Sequence, residues 1–451
     1  MNQDGQEAGA AVHQGGGPYH PKTERHQRRG RGRLRLRDAS AMAIGGMIGG
    51  GIFSVLGVTI QLAGHLAFMC FVLAGLLALV TAHSYAGLAR RSGRSGGPYA
   101  YLCEAGHPRF AAITSWYLIF GYVLALAVYA FTFGHYIAQA IGTGDVVARA
   151  ASVVVLGAFL AINVRGIGAS RLTEDSVVLA KLVILAVIAG IGLFAWSPHR
   201  LSPLADTGYL GVFVGAASIF IAYEGFELLS YDYDAMEQPA RTLPRALYLS
   251  VLVVIAVYVA VTLSSQMLVS DSLIVSQREV AFAAVGQEAL GTFGRWLATG
   301  AAVLATSSAV NATLFSTARL VRDLSDAREL PPFLGRTPAG VPANAMWMLT
   351  LLGAVFAMLP GINELLTFAS ATFLGVFGLI NHLHARTTDR TRERVLGHLG
   401  ATACAIAIIV LLAKLALHEP TTLALIAGCV LGVGALRLLF ARNRSTAPHQ
   451  H

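Results

Sequence analysis

The stretch Gly45–Phe53 reads GGMIGGGIF and lies inside the first long apolar segment, Ala39–Ala63. That segment is long enough to cross a bilayer, for which about 20 apolar residues suffice. Five glycines fall within the seven positions 45–51, and glycine is less favourable than alanine inside a helix by about 1 kcal/mol. The sequence therefore predicts a transmembrane helix that breaks halfway across the membrane.

A break at that depth is tolerated only where protein covers it or where it lines a cavity, because its backbone groups would otherwise face hydrocarbon. The two half-helices then direct N–H groups and C=O groups at the cavity, which suits the carboxylate and the ammonium of an amino acid. The alternative is that the glycines only permit close helix packing, since Gly46 and Gly50 also form a GxxxG pattern.

Composition indicates an integral membrane protein. Of the 451 residues, 55% are hydrophobic and 13% are charged, whereas soluble domains are about 25% charged. The net charge of +9 is almost all arginine, placed in connections and tails, so it predicts orientation in the bilayer rather than nucleic-acid binding. We expect no cofactor and, because the sequence has no P-loop, no direct use of ATP.

Neither cysteines nor histidines form a recognisable metal pattern. The four cysteines lack CxxC spacing, so we expect neither disulfides nor bound metal. His65, His83 and His135 are isolated in the sequence and lack an HExxH pattern, which favours packed or interfacial histidines over metal ligands.

Twelve apolar segments predict twelve transmembrane spans with both termini in the cytoplasm. Their approximate bounds are 39–63, 65–89, 110–141, 148–164, 173–196, 209–234, 246–268, 296–318, 343–360, 362–385, 396–417 and 420–440. With the N-terminus inside, sixteen arginines fall in inner connections and four in outer ones. This asymmetry supports both the number of spans and a cytoplasmic-membrane orientation, since arginine is retained on the inner side.

The same pattern divides the chain into regions. Residues 1–37 are predicted to be a disordered, basic cytoplasmic tail, and residues 38–386 the transporter core. Two additional spans occupy 387–440 and are predicted to be peripheral, because they carry no break. Residues 441–451 are predicted to be a second cytoplasmic tail.

The sixth span contains a second interruption. Its segment Ile219–Glu227 reads IFIAYEGFE, with a glycine flanked by carboxylates. Five spans separate the two breaks, and because five is odd, a repeat that starts at span six enters the membrane from the opposite face. Paired interruptions in two inverted halves, here about 38–196 and 207–386, indicate a transporter binding site.

Four motifs in this order resemble one family. They are GGGIF at 49–53, SGGPYAY at 95–101, NVRG at 163–166 and AYEGFE at 222–227. The chain resembles the amino acid–polyamine–organocation (APC) permeases, in the superfamily of the leucine-transporter fold, over about Leu36–Arg386. The resemblance implies an all-α membrane protein with a five-plus-five inverted repeat, in which spans 1 and 6 are discontinuous.

The resemblance also implies a set of substrate-binding residues on the two breaks. Backbone N–H groups would bind the substrate carboxylate at Gly49, Gly50 and Gly51. Carbonyl groups would bind the amine at Met47 or Ile48 and at Ile221, Ala222 and Glu224, beside Gly225. Phe220 and Tyr223 would close the site as aromatic gates. The family commonly has serine or alanine where this chain has Gly50, so we expect no side-chain contact there.

Lys181 is the most informative charged residue, because it lies inside a predicted membrane span. It lies in span five, about eight residues or about 12 Å from the cytoplasmic end, and such residues usually face the protein interior. The alternative is a side chain that reaches towards the inner headgroups. The resemblance implies that a lysine here replaces the second sodium site and contacts carbonyls of the first break. We therefore predict that it couples transport to protons, with Thr306, Ser307 and Ser308 as candidate hydrogen-bond partners.

The carboxylates of span six allow more than one interpretation. Glu224 either caps backbone N–H groups in its protonated form or faces the site and favours a substrate with a second positive charge. Glu227, Asp232 and Asp234 are expected nearer the cytoplasmic exit, in solvated pairs with arginines.

The predicted function is secondary active transport of amino acids or related amines, by proton symport and alternating access. Substrate exchange is the second hypothesis, and a sensor or channel on the same fold is a third. An enzyme is not expected, because no nucleophile–base pair or metal set lies on the spans. The predicted partners are a small-molecule substrate, protons and the lipid bilayer.

Overall fold

The computed structural model describes residues 33–165, 171–204, 206, 208–337, 341–359 and 361–446. Most of the two predicted tails, at 1–32 and 447–451, therefore lies outside the described residues. Within them, helices are the regular elements, apart from one isolated bridge between Leu34 and Met236. The α-helices are α1 (Leu36–Met47), α2 (Gly51–Ala63), α3 (Ala67–Ser92), α4 (Gly97–Glu104), α5 (Pro108–Ala140), α6 (Asp145–Val164), α7 (Arg171–Phe194), α8 (Leu210–Ser218), α9 (Pro239–Leu268), α10 (Asp271–Gln277), α11 (Ala281–Asp326), α12 (Ala343–Ala357), α13 (Ile362–Thr387), α14 (Thr391–His418) and α15 (Pro420–Thr446).

Every predicted apolar segment overlaps a helix, but the number of spans stays a prediction. In the described residues, nine helical runs are long and apolar enough to cross a membrane, or ten if a bent pair counts as one span. The number falls below twelve because Gly51–Ser92 counts as one run although Gly64–Leu66 interrupts it. In addition, α12 has 15 residues and α1 has 12, which is short for a membrane crossing.

The first apolar segment breaks where its glycines predict. Helix α1 ends at Met47 and α2 begins at Gly51, so Ile48, Gly49 and Gly50 form the connection. The second segment breaks after Ser218, where α8 ends and two 3-10 helices follow at Phe220–Tyr223 and Phe226–Ala235, bent from it by 54°. Between them Glu224 is extended and Gly225 has φ +118°, which only glycine adopts readily.

Helix α5 forms the centre of the described structure, because 78% of its 18-residue apolar stretch is buried. In α14 and α15 only 22% and 6% of the corresponding stretch is buried, so these helices lie at the periphery. Even so, α14 packs closely on α13, because a Cβ on Gly397 would lie 2.8 Å from the Asn381 carbonyl.

The described end of the predicted tail is ordered. Leu34 is buried, its N–H donates to the Ala235 carbonyl, and its own carbonyl accepts from the Glu237 N–H, both at 2.8 Å. These bonds hold residues 33–35 against the end of the second 3-10 helix. Residues 33–37 therefore differ from the disordered tail that the sequence predicts, because backbone pairing offsets their loss of conformational freedom.

Candidate functional site

The two helix breaks contact each other through their backbones. A Cβ atom added to Gly225 would lie 3.0 Å from the carbonyl carbon of Gly46 and 3.1 Å from the nitrogen of Met47. Main chain thus lies directly on main chain, with no side chain between the two breaks at this point. The backbones of the two interruptions therefore lie side by side in the protein interior.

The glycines of the first break also pack tightly against neighbouring helices. A Cβ on Gly50 would overlap the Tyr129 ring of α5, one on Gly51 would overlap the Tyr258 hydroxyl of α9, and one on Gly49 would lie 2.5 Å from the Ala309 Cβ. The glycine run therefore both breaks the helix and permits close approach, so packing is not its only role. The Tyr129 ring fills the space in which a serine or alanine at position 50 would place its side chain.

The Tyr258 hydroxyl links carbonyl groups of the two breaks. It lies 2.7 Å from the Met47 carbonyl oxygen and 3.0 Å from that of Ala222. Both carbonyls are among those predicted to bind an amine. A hydroxyl is a donor of the same kind as an ammonium but carries a single proton, so Tyr258 occupies the position that the prediction gives to the substrate amine.

Other backbone groups of the first break bond within the chain. The Ile48 N–H donates to the Ile44 carbonyl at 2.9 Å, and the Gly49 N–H donates to the Gly46 carbonyl at 3.0 Å. In this conformation the Gly49 N–H is therefore engaged rather than directed at a ligand, whereas the sequence assigns it to the substrate carboxylate. Gly50 and Gly51 are buried beside it.

The second break is fixed by a serine on α13. Ser370 accepts a hydrogen bond from the Ile221 N–H at 3.0 Å and donates to the Ser218 carbonyl at 2.7 Å. The predicted gates are buried on either side: the Tyr223 hydroxyl donates to the Phe71 carbonyl at 2.7 Å, and Phe220 packs edge-on against Phe377. Both aromatic residues are thus held in the closed protein interior.

Glu224 is buried and its two carboxyl oxygens have different surroundings. Oε2 accepts a hydrogen bond from the Tyr129 hydroxyl at 2.6 Å, while Oε1 is fully buried and has no hydrogen-bond partner. An unsatisfied buried acceptor costs about 1–3 kcal/mol, so the protein retains an unfilled acceptor beside the break. Of the two interpretations of Glu224, capping of backbone N–H groups is not what the structure shows.

The capping role belongs to Glu227. Its Oε2 accepts from the Gly225 N–H at 2.9 Å and its Oε1 from the Tyr122 hydroxyl at 3.0 Å. Glu227 is fully buried, so the expectation of a solvated arginine pair is wrong for this residue. The left-handed Gly225 brings its N–H round to the Glu227 carboxylate, which a helical backbone would not do. Asp232 does pair with an arginine, Arg319, at 3.7 Å.

Lys181 is buried and contacts the first half-helix. Its Nζ donates to the Gly45 carbonyl at 2.8 Å, so the side chain faces the protein interior rather than the inner headgroups. Thr306 instead donates to the Ala302 and Val303 carbonyls of its own helix. Ser307 and Ser308 are half-buried on α11.

The motif at 95–101 contacts the end of the second 3-10 helix. The Ser95 N–H donates to Asp234 Oδ2 at 3.2 Å, and the Ser95 hydroxyl accepts from the Asp234 N–H at 2.9 Å. Because these bonds join the end of α3 to the end of the second 3-10 helix, the motif holds two spans together rather than contacting the breaks.

The three histidines are not isolated in space. His65 lies near Asp206 and Asp271, His135 near Asp145 and Glu279, and His83 against Tyr248 and His384. The sequence gives no sign of these groups, because every partner belongs to a different segment.

Sequence reasoning also missed a row of tyrosines, two of which contact the second break. Tyr122, Tyr129 and Tyr136 are fully buried on α5; the first two bind Glu227 and Glu224, whereas Tyr136 packs against Phe53. Their spacing of seven residues places them along one face of the helix, and this regular spacing was the available signal. Tyr258 and Ser370 have no comparable pattern.

Comparison with known proteins identifies the family. A family model described as amino acid permease matches residues 34–433. The chain belongs to this amino acid permease family. It is therefore a multi-pass membrane protein of the transporter class.

Individual relatives of this permease differ in their substrates. An uncharacterized protein of Methanocaldococcus jannaschii is 31% identical over 80% of this chain and 84% of its own. The methylthioribose transporter of Bacillus subtilis is 27% identical over 75% and 76%, respectively. The branched-chain amino acid permease BcaP of the same organism is 29% identical over 50% and 52%.

Proposed function

We propose that this permease is a secondary active transporter of amino acids or related amines, driven by proton symport across the cytoplasmic membrane. The observation that carries the proposal is the contact between Gly46 and Gly225, with Tyr258 bound to a carbonyl of each break. An ammonium group that replaced the hydroxyl would find the same carbonyls already converging. Transport then follows if the breaks rock apart alternately towards either side.

The orientation rests on the arginine distribution together with contacts between connections. Arg91 donates to the Thr387 carbonyl, which joins two predicted inner connections. At the other end, Arg149 donates to the Met358 carbonyl at 2.5 Å, and Gln139 to Gln277 at 3.3 Å, which join predicted outer connections. These contacts support the proposed alternation of the spans and the proposed cytoplasmic location of both termini.

Exchange of one substrate for another is the second candidate mechanism. It uses the same site and needs no proton, so Lys181 is the residue that separates the two. The bond from Lys181 to the Gly45 carbonyl favours symport, because loss of a proton would weaken the hold of Lys181 on the half-helix that forms one side of the site.

The first test is transport by the purified protein in vesicles. We expect saturable uptake and counterflow of at least one amino acid or amine from a panel of neutral, acidic and cationic compounds. The same compound should raise the unfolding temperature, since a ligand at a hundredfold excess over its Kd stabilises the folded protein by about 2.7 kcal/mol. Conductance without saturation would instead indicate a channel, and stabilisation without uptake would indicate a sensor.

We further propose that Glu224 selects substrates with a second positive charge, because its Oε1 is buried without a partner. The variant Glu224→Gln should then reduce uptake of cationic amino acids or polyamines at least about tenfold relative to neutral ones. The reason is that a hydrogen bond to a charged group contributes about 1.5–3 kcal/mol, and about 1.4 kcal/mol corresponds to tenfold.

Glu227→Gln is the matched control for that experiment. Glu227 is as buried as Glu224 but binds the Gly225 N–H, so its loss should affect all substrates alike. An equal loss of neutral and cationic uptake in Glu224→Gln would show that Glu224 does not determine charge preference.

A further inference from the structure

Three side chains from separate segments converge at the end that carries the predicted outer connections. His65 lies on the turn between α2 and α3, Asp206 on the connection between α7 and α8, and Asp271 at the start of α10. One ligand atom from each lies within 4.8 Å of the others. Among the residues that the structure describes, these three form the one group of histidine, cysteine or acidic side chains whose ligand atoms lie this close together.

The two ring nitrogens of His65 face different carboxylates: Nδ1 lies 3.7 Å from Asp206 Oδ2, and Nε2 lies 3.7 Å from Asp271 Oδ2. Nδ1 also lies 2.8 Å from the Pro203 carbonyl oxygen, and because a carbonyl only accepts, Nδ1 carries a proton. In the neutral ring, Nε2 then presents its lone pair. A metal-binding histidine almost always donates its other N–H in this way, to a carbonyl or a carboxylate.

The spacing of Nε2 from Asp271 matches an ion better than a hydrogen bond. Nε2 lies 3.7 Å from Asp271 Oδ2, whereas N–H···O bonds span about 2.7–3.2 Å. Two ligands of a tetrahedral zinc ion, each bound at about 2.0–2.2 Å, lie about 3.4 Å apart. A lone pair that faces a carboxylate without a cation between them is electrostatically unfavourable.

Both carboxylates are held in place by further hydrogen bonds. Asp206 Oδ1 accepts from the backbone N–H of His65 at 3.0 Å. The Gln266 side-chain nitrogen lies 3.4 and 3.2 Å from the two oxygens of Asp271 and 3.0 Å from the Gly64 carbonyl. Gln266 is buried, so this support is rigid. Groups that hydrogen-bond to metal-binding side chains in this way orient those side chains and raise metal affinity about 10–100-fold.

We propose that His65, Asp206 and Asp271 form a binding site for a divalent transition-metal ion such as Zn²⁺. Imidazole with carboxylates suits ions of this class. Because the ligands come from three segments, a bound ion would tie the α2–α3 turn to the start of α10. It would thereby keep the outer end closed, so zinc on that side should slow transport. The binding site itself does not depend on the proposed substrate.

The same end offers a matched control at His135. Its Nδ1 also faces a carbonyl, that of Phe131 at 2.8 Å, and its Nε2 lies 3.3 and 3.4 Å from Asp145 and Glu279. The difference is that the Arg149 guanidinium already binds Asp145 at 2.8 Å. This positive charge opposes a second cation, so we expect no zinc there.

The test measures zinc bound per chain by mass spectrometry after equilibrium dialysis of the full-length protein, purified without a histidine tag. The intact protein and His135→Ala should each bind one zinc more than His65→Ala or Asp271→Asn. Histidines of the N-terminal tail are common to all four proteins and cancel in the comparison. Zinc should also raise the unfolding temperature of the first two proteins only.

Equal zinc content in the intact protein and His65→Ala would overturn the proposal. Asp271→Asn keeps an oxygen acceptor for Gln266, so it remains informative if His65→Ala fails to fold. A zinc-induced rise in the unfolding temperature of His65→Ala equal to that of the intact protein would also overturn it, because the ion would then bind elsewhere. None of these outcomes bears on substrate uptake, so the site can fail while the transport function stands.

Discussion

Lys181→Ala is expected to abolish uptake driven by a pH gradient while leaving substrate counterflow in place. Lys181 is fully buried and donates to the Gly45 carbonyl at 2.8 Å. A buried ammonium is costly unless it is paired or hydrogen bonded, and a charged donor binds more strongly than a neutral one, so gain and loss of its proton should strengthen and weaken this bond. Uptake into vesicles with an imposed pH gradient measures the effect, and counterflow at equal pH measures the site without it.

Lys414→Ala provides the control, because Lys414 is the other lysine among the described residues. It lies on the peripheral helix α14 and pairs with Glu419 at 3.7 Å, so its loss should leave pH-driven uptake unchanged. Lys181→Arg should resemble Lys181→Ala, since a guanidinium is not deprotonated in proteins. Full pH dependence in Lys181→Ala would remove this residue from the coupling mechanism and favour another proton carrier.

Gly225→Ala should cause a large loss of stability, because it combines backbone strain with close packing on the other break. Gly225 has φ +118°, and a Cβ there would lie 3.0–3.2 Å from the backbone of Gly46 and Met47. A strained backbone costs about 1–3 kcal/mol, and overpacking costs a further amount of about 1–3 kcal/mol. The unfolding temperature and the yield of monodisperse protein in detergent measure this effect.

Gly157→Ala on α6 is the matched control. A Cβ at Gly157 has no atom within 4 Å, and alanine is favoured over glycine in a helix by about 0.5–1 kcal/mol. We therefore expect unchanged or slightly higher stability. If Gly225→Ala were as stable as Gly157→Ala, the two breaks would not be in direct backbone contact, and the proposed site would lose its main support.

Features set by the chain's own local chemistry could be predicted from the sequence. The glycine run weakens one helix and the Glu-Gly segment weakens another, so both breaks occur where composition places them. The cost of a charge at that depth predicts that Lys181 faces the protein interior, as it does. Neither prediction requires knowledge of distant partners. The contact of Lys181 with the first half-helix, by contrast, is what the family resemblance implies.

Features set by long-range contacts could not be predicted from the sequence. Tyr129 and Glu224 are 95 positions apart, and Tyr258 meets Met47 across 211 positions. The exchange of roles between Glu224 and Glu227 depends on how Gly225 directs its N–H, which composition does not reveal. Similarly, His65 meets its carboxylates only after three segments fold together.

The Tyr258 hydroxyl has one further consequence for the proposed substrate. It has a single hydrogen to share between the oxygens of Met47 and Ala222, so it cannot donate fully to both. An arriving ammonium brings three donors and can satisfy both oxygens together. Binding of an ammonium would therefore supply the donor that the Tyr258 hydroxyl cannot provide to both oxygens at once.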